Sequence, residues 1–260
     1  MPKVITQEEA GRREAEIMEA GLRVIEADGF SALTMDRVVA EVSYSKGTVY
    51  NSFAGKEDLF VAIRNLGRRI MADYSRRADA FAGSPRERFI AQVFAYSFYA
   101  RRHPILFRCD VSTRGPLVLE KASRERLDEG RRLERQLHQT YLGPIEDGIR
   151  AGDLALPRGR RALDVASGTF YLELGCISLF MLSEESEMRE YEQAIGRRPD
   201  LDDELCRHLN VYLDGWQWRE LSSERNYARV WKTFPGKIFA REIAADRKSE
   251  KTRRTSRSKS

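Results

Sequence analysis

Residues 34–59 read Thr34-Met35-Asp36-Arg37-Val38-Val39-Ala40-Glu41-Val42-Ser43-Tyr44-Ser45-Lys46-Gly47-Thr48-Val49-Tyr50-Asn51-Ser52-Phe53-Ala54-Gly55-Lys56-Glu57-Asp58-Leu59. Met35, Val38, Val39 and Val42 recur at helical spacing for only two turns, and Val49 and Phe53 stand one turn apart in a second short run. Thr34 offers the first run an N-cap oxygen, with Asp36 near the positive helix end. That run must stop near Ser43, whose side chain competes for backbone hydrogen bonds. Two short helices therefore meet across the tight turn Ser43-Tyr44-Ser45. This geometry lets the second helix enter a DNA major groove about 12 Å wide while the first buttresses it.

Upstream, residues 12–28 place Ile17, Ala20, Gly21, Val24 and Ile25 on one stripe of an amphipathic helix, and Gly29 is its expected stop, with Phe30 folding back onto the apolar face. Downstream, Leu59, Ile63, Leu66 and Ile70 line one side of a long helix expected over 56–80. Ser84-Pro85 then suits an N-cap and first helical residue for a helix running to about 102. A long polar helix is expected from Arg114-Gly115-Pro116, broken or kinked at Gly143-Pro144. Residues 161–181 are apolar almost all round, the pattern of a helix that needs cover on most sides. A charged connector over 183–199, a helix over 201–218, and a helical stretch over 220–244 interrupted at Pro235-Gly236 complete the reading. The last fifteen residues look disordered. The expected architecture is all-α: a three-helix unit over 1–55, a larger helical domain over 56–245, and a basic tail over 246–260.

Composition supports helices and excludes several function classes. The 260 residues are 42% hydrophobic with 18 Gly and 8 Pro, enough apolar surface for a sizeable core. Residues 162–182 are interrupted by Asp164 and Glu173 and are not read as a membrane span, and the amino terminus lacks a signal-peptide layout, so a cytoplasmic location is expected. Cys109, Cys176 and Cys206 form no CxxC pair, and His103, His138 and His208 no ligand spacing, so neither disulfide, metal nor cofactor is expected. The formal charge of +5 belongs to the tail: residues 246–260 carry seven Lys/Arg against two Asp/Glu. Residues 1–70 hold ten Lys/Arg against eleven Asp/Glu, so DNA recognition there must rest on placed donors rather than net charge.

The Ser-Lys-Gly-Thr-Val-Tyr run, the following Phe53 and the Lys-Glu-Asp-Leu that opens the next helix closely resemble the DNA-binding domain of the TetR (tetracycline-repressor) family, over about residues 12–62. The resemblance implies that Ser45, Lys46, Gly47, Thr48, Tyr50 and Asn51 face operator DNA, and that Lys56 and Thr34 match family positions that hold phosphates. Base discrimination would then fall on Thr48 and Asn51, with Tyr44 and Lys46 in support; Asn can pair bidentately with adenine. Two departures stand out. Ser43 replaces a frequent turn Gly, where a left-handed Ser would cost about 1 kcal/mol, and Gly55 replaces a frequent helix-capping Ser.

The family's larger domain dimerises and usually holds a small-molecule effector. The 161–181 helix, with Ala166, Ser167, Gly168, Gly175 and Ser178, together with the 201–218 helix, is the expected homodimer face. Reading a two-fold operator needs two recognition helices about 34 Å apart. Phe94, Phe98, Phe107, Tyr141, Phe170 and Tyr171 are the candidate lining of an effector cavity, which as an aromatic set would suit a lipophilic or aromatic ligand. Such a ligand would act through the 56–80 helix on the spacing of the recognition helices. Two rivals carry less weight. An enzyme would have to use Glu184-Glu185 or Asp202-Asp203-Glu204, which read as solvated charge without a phosphate loop or nucleophile elbow. A nucleoid-type protein would bind DNA through its basic tail.

Overall fold

The computed structural model describes residues 6–113, 116–183 and 185–257; the side chains of 116, 117, 182, 185 and 249–257 are excluded. Arg114-Gly115 and Glu184 lie outside the described residues. Among those described, the regular structure is helical throughout, and the fold is all-α. The helices are α1 (Gln7–Asp28), α2 (Met35–Ala40), α3 (Lys46–Ser52), α4 (Lys56–Asp79), α5 (Pro85–Arg102), α6 (Pro104–Ser112), α7 (Pro116–Leu119), α8 (Arg124–Ala151), α9 (Ala162–Leu182), α10 (Glu185–Ile195), α11 (Leu201–Gly215), α12 (Tyr227–Trp231), α13 (Phe234–Ile238) and α14 (Ala240–Arg257), with a 3-10 turn at Phe30–Ala32. They form two compact units, one of residues 1–72 with 99–136 and one of 73–98 with 137–260.

In the first unit, α1 begins at Gln7, nearly three turns before its apolar stripe starts at Ile17. Thr6 accepts the Glu9 N–H at 3.2 Å while Glu9 accepts the Thr6 N–H at 3.1 Å, a reciprocal cap that satisfies two otherwise orphan donors. The buried residues of α1 are the predicted Ile17, Ala20, Gly21, Val24 and Ile25. Burying each Ile or Val there is worth about 1.5–3 kcal/mol. Gly21 lets α4 come close: a Cβ at that position would sit 3.2 Å from Leu59 Cδ2. Gly29 ends the helix at φ +83°, a conformation a side chain would resist, with its N–H on Ile25 O at 2.9 Å.

In the second unit, α9 and α11 pack side by side, and α12 lies on α11. Pro144 sits inside α8 rather than ending it. A mid-helix proline costs about 3 kcal/mol, and packing on both sides of it offsets that: Phe89 meets the Tyr141 ring edge-on at 5.0 Å, Ile145 is buried, and Trp218 lies against Gly148 so tightly that a Cβ there would be 2.9 Å from its ring. Four other expectations change. The connector over 183–199 contains a helix, α10, on which Met188, Tyr191 and Ile195 recur at helical spacing, and the terminal stretch is helical to Arg257 rather than disordered, because Arg, Lys, Glu and Ala favour helix without any apolar stripe. Glu204 is not solvated; it is buried between Arg197 and Arg207. The 220–244 stretch is divided into α12, α13 and the start of α14, with Pro235 at the beginning of α13.

Candidate nucleic-acid interface

The two short helices form as their sequence requires. Thr34 caps α2 by accepting the Arg37 N–H at 3.3 Å, and α2 ends at Ala40, so the turn spans 41–45. Ser45 caps α3 by accepting the Thr48 N–H at 3.2 Å, and its hydroxyl also meets the Thr48 hydroxyl at 2.9 Å. Val38, Val49 and Phe53 are fully buried and fix the inner faces of both helices. The turn closes without a left-handed Ser43: the one non-glycine residue with positive φ among those described is Gln217. The capping role left open by Gly55 passes to Asp58, whose buried carboxylate accepts the Ala54 N–H at 3.2 Å and the Ser123 N–H at 2.9 Å.

Lys46, Gly47, Tyr50 and Asn51 are exposed on α3, with Thr48 half-buried beside them; Lys56 is exposed at the start of α4, and Thr34 at the start of α2. Gly47 is informative. Its φ is not positive and a Cβ there would come no closer than 4.0 Å to any neighbour, so nothing inside the fold requires a glycine. A bare backbone on an outward face, kept at a helix-propensity cost of about 0.5–1 kcal/mol, fits close approach by something outside the chain.

The charged donors are not idle. Lys46 Nζ pairs with Asp36 Oδ1 at 2.7 Å and lies 5.8 Å from the Tyr50 ring centre; the hydrogen bond to Asp36, then its charge, raises the Lys46 pKa. Tyr44 donates to Glu16 Oε2 at 2.5 Å, with the Arg13 guanidinium 5.6 Å from its ring centre, and that hydrogen bond raises its pKa. Tyr44 is thus turned toward α1. Sequence reasoning missed these acidic partners, and it missed Arg126. The Arg126 guanidinium donates to Ser52 O at the carboxyl end of α3, pairs with Glu14 at 2.8 Å and covers the Phe53 ring at 4.8 Å. Periodicity reports which face a residue occupies, not which distant side chain it meets.

Residues 17–63 match the family of bacterial regulatory proteins, tetR family. Over these residues the chain carries a domain of the tetR type. Among curated relatives it is 42% identical over 66 residues to YfiR, an uncharacterized HTH-type transcriptional regulator of Bacillus subtilis. That match spans 25% of this chain and 32% of YfiR. It is 28% identical over 165 residues to the HTH-type transcriptional repressor AcnR of Corynebacterium diphtheriae, covering 56% of this chain and 83% of AcnR. A tetR-family regulatory protein from Rhodococcus RHA1 superposes with a TM-score of 0.57 at 21% identity, over 80% of this chain and 98% of that one, a likeness of fold.

The aromatic residues expected around an effector fall in several places. Phe94 and Phe98 are held by the chain's own carboxyl-terminal rings: Phe94 meets Trp231 at 5.3 Å and Phe234 at 5.4 Å, and Phe98 stacks on Phe239 at 4.4 Å. Phe107 is buried in the first unit. Tyr141 is packed on Phe89 with its hydroxyl enclosed, and Phe170 faces Tyr96 at 6.3 Å. Tyr171 is 70% exposed on α9.

Proposed function

We propose that the protein is a sequence-specific repressor that grips double-stranded operator DNA with α3, residues 1–55 being the DNA-binding domain and 56–245 the effector and dimerisation domain. The observation that carries this reading is the outward face of α3, where Lys46, Tyr50 and Asn51 surround a glycine that the fold itself does not need. Lys46 and Lys56 supply phosphate contacts, Thr48 and Tyr50 hydroxyl donors, and Asn51 base discrimination. Selection of bound sequences from random DNA at a stated salt concentration tests it. A two-fold site with half-sites one turn apart is expected; failure to enrich any sequence would overturn it.

The second part of the proposal is a homodimer through α9 and α11. Over Ala162–Met181 only 28% of the most apolar helix is buried within the chain, and Leu163, Tyr171, Leu179 and Val211 remain exposed on these two helices. Apolar surface of this kind marks an interface. A monomeric mass in solution at micromolar concentration would refute it. The third part is release of the operator by a small-molecule effector bound in the second unit, acting through α4. Equal operator affinity with and without a bound effector would exclude it. The tail over 246–260 serves as a nonspecific accessory.

A further inference from the structure

Among the described residues, the buried carboxylates have partners, with one exception. Glu204, 2% exposed, is held by Arg197 and Arg207, with His208 Nε2 at 3.4 Å. Asp58 accepts two backbone N–H groups, and Glu87 pairs with Arg225 at 2.6 Å and accepts the Ser84 N–H at 2.9 Å. Glu173 on α9 is equally buried, and its Oε2 meets no hydrogen-bond donor. The Tyr141 hydroxyl of α8, the polar group that approaches it, is likewise enclosed. Among the described residues, the neighbours that act on this pair are the phenols of Tyr96 and Tyr212 rather than any cation. Burial therefore pushes the Glu173 carboxyl well above the usual carboxylate range, with Tyr141 offsetting only part of that rise, and keeps it an uncharged acid.

A buried carboxyl oxygen that meets no hydrogen-bond donor is a standing cost that packing alone would remove by substitution. Its surroundings are aromatic. Phe89 packs edge-on to Tyr141, and Tyr96 and Phe170 lie together at 6.3 Å on the neighbouring turns of α5 and α9. A carboxyl group without a cation, next to phenolic oxygens and ring faces, is the set of groups that recognises an organic ammonium: the carboxylate supplies charge, the rings supply their negative faces.

We propose that Glu173 and Tyr141 form the polar end of a ligand site in the second unit that takes an amine or other organic cation carried on an apolar frame. This deepens the effector reading on which it rests, replacing a purely lipophilic ligand by a cationic one. When the ammonium arrives, the Glu173 proton leaves to solvent and the carboxylate pairs with the cation, so binding releases one proton for each charged ligand taken up.

The test uses the full chain with benzylamine and 2-phenylethylamine as probes and benzyl alcohol and 2-phenylethanol as their uncharged counterparts, measured by calorimetry at pH 7. The amines are expected to bind at least about tenfold more tightly than the alcohols, the factor one charge-assisted contact supplies, and Glu173→Gln is expected to erase that ratio. Because a variant can fail for structural reasons, Glu173→Met is compared in thermal unfolding without ligand. A residue retained for a ligand leaves the empty protein more stable when replaced, so its midpoint should rise. Alcohols binding as well as amines, no amine binding, an amine preference that survives Glu173→Gln, or a midpoint that falls in Glu173→Met would each overturn the proposal. Amine binding that leaves operator affinity unchanged would uphold this site and refute the effector reading instead.

Discussion

Arg86, fully buried on α5, holds the carboxyl-terminal segment in place, and its removal gives a prediction whose size follows from the structure. One terminal nitrogen donates to Trp218 O and, at 2.8 Å, to Glu220 O; the other donates to Asn210 Oδ1 at 3.1 Å and Asp214 Oδ1 at 2.7 Å. The guanidinium plane lies 4.4 Å from the Tyr227 ring centre. Breaking a buried ion pair by deleting one member costs about 3–5 kcal/mol. Asp214 is partly exposed and regains water, so Arg86→Met belongs at the lower end of that range, about 3 kcal/mol. At roughly 2–4 °C per kcal/mol for a chain near this size, the unfolding midpoint should fall by about 6–12 °C. Arg86→Lys should lose most of the same amount, since an ammonium cannot reach four oxygens and stack on a ring together. Limited proteolysis should show new cleavage between residues 216 and 232 before global unfolding. An Arg86→Met protein with an unchanged midpoint and unchanged protection of that segment would refute this account of how the segment is held.

Other outcomes are expected. Lys46→Ala should lower the slope of log affinity against log salt by about 0.9 per subunit, while Asp36→Asn, which frees Lys46, should steepen it and strengthen binding to random duplex DNA; anisotropy titrations across a salt series measure both. Gly47→Ala should leave the helix content intact and raise stability by up to about 1 kcal/mol, yet weaken operator binding, so a variant with full affinity would argue against close approach at α3. Val211→Glu should convert a dimer into a folded monomer, seen by light scattering with an unchanged circular dichroism spectrum. The Glu173 carboxyl titrates higher in the folded than in the unfolded chain, so its contribution favours folding below the unfolded pKa and is lost as pH rises toward the folded one. Glu173→Gln should therefore stabilise the protein more at pH 7 than at pH 4.5 in urea unfolding.

The pair of short helices over 34–53 was legible because its determinants are local: caps within three residues, a two-turn stripe, and buried Val38, Val49 and Phe53. The stripe of α1 was legible for the same reason. Helix α14 was not, since its charged residues carry helix propensity without an apolar period, and in α10 the Met188, Tyr191 and Ile195 stripe is short and set in a charged run. Nor was the continuity of α8 through Pro144, which depends on Phe89 and Trp218 reaching it from elsewhere in the chain. At the candidate interface the outward donors were readable, but Asp36 lies ten residues from Lys46 and Arg126 lies seventy-four from Ser52. Pairings of that range are set by the tertiary fold.

The aromatic contacts of the carboxyl-terminal segment bear on how the protein is made. Phe98 stacks on Phe239, 141 positions later, and Arg77 pairs with Glu242, 165 positions later. At translation speeds of about 5–20 residues per second, roughly 7–28 s separate the emergence of Phe98 from that of its cover. Through that interval the nascent chain presents Phe94 and Phe98 without Trp231, Phe234 or Phe239. The second unit therefore closes from its far end, late in synthesis, and a ribosome stalled before residue 231 releases a polypeptide in which Phe94 and Phe98 lack these covering rings.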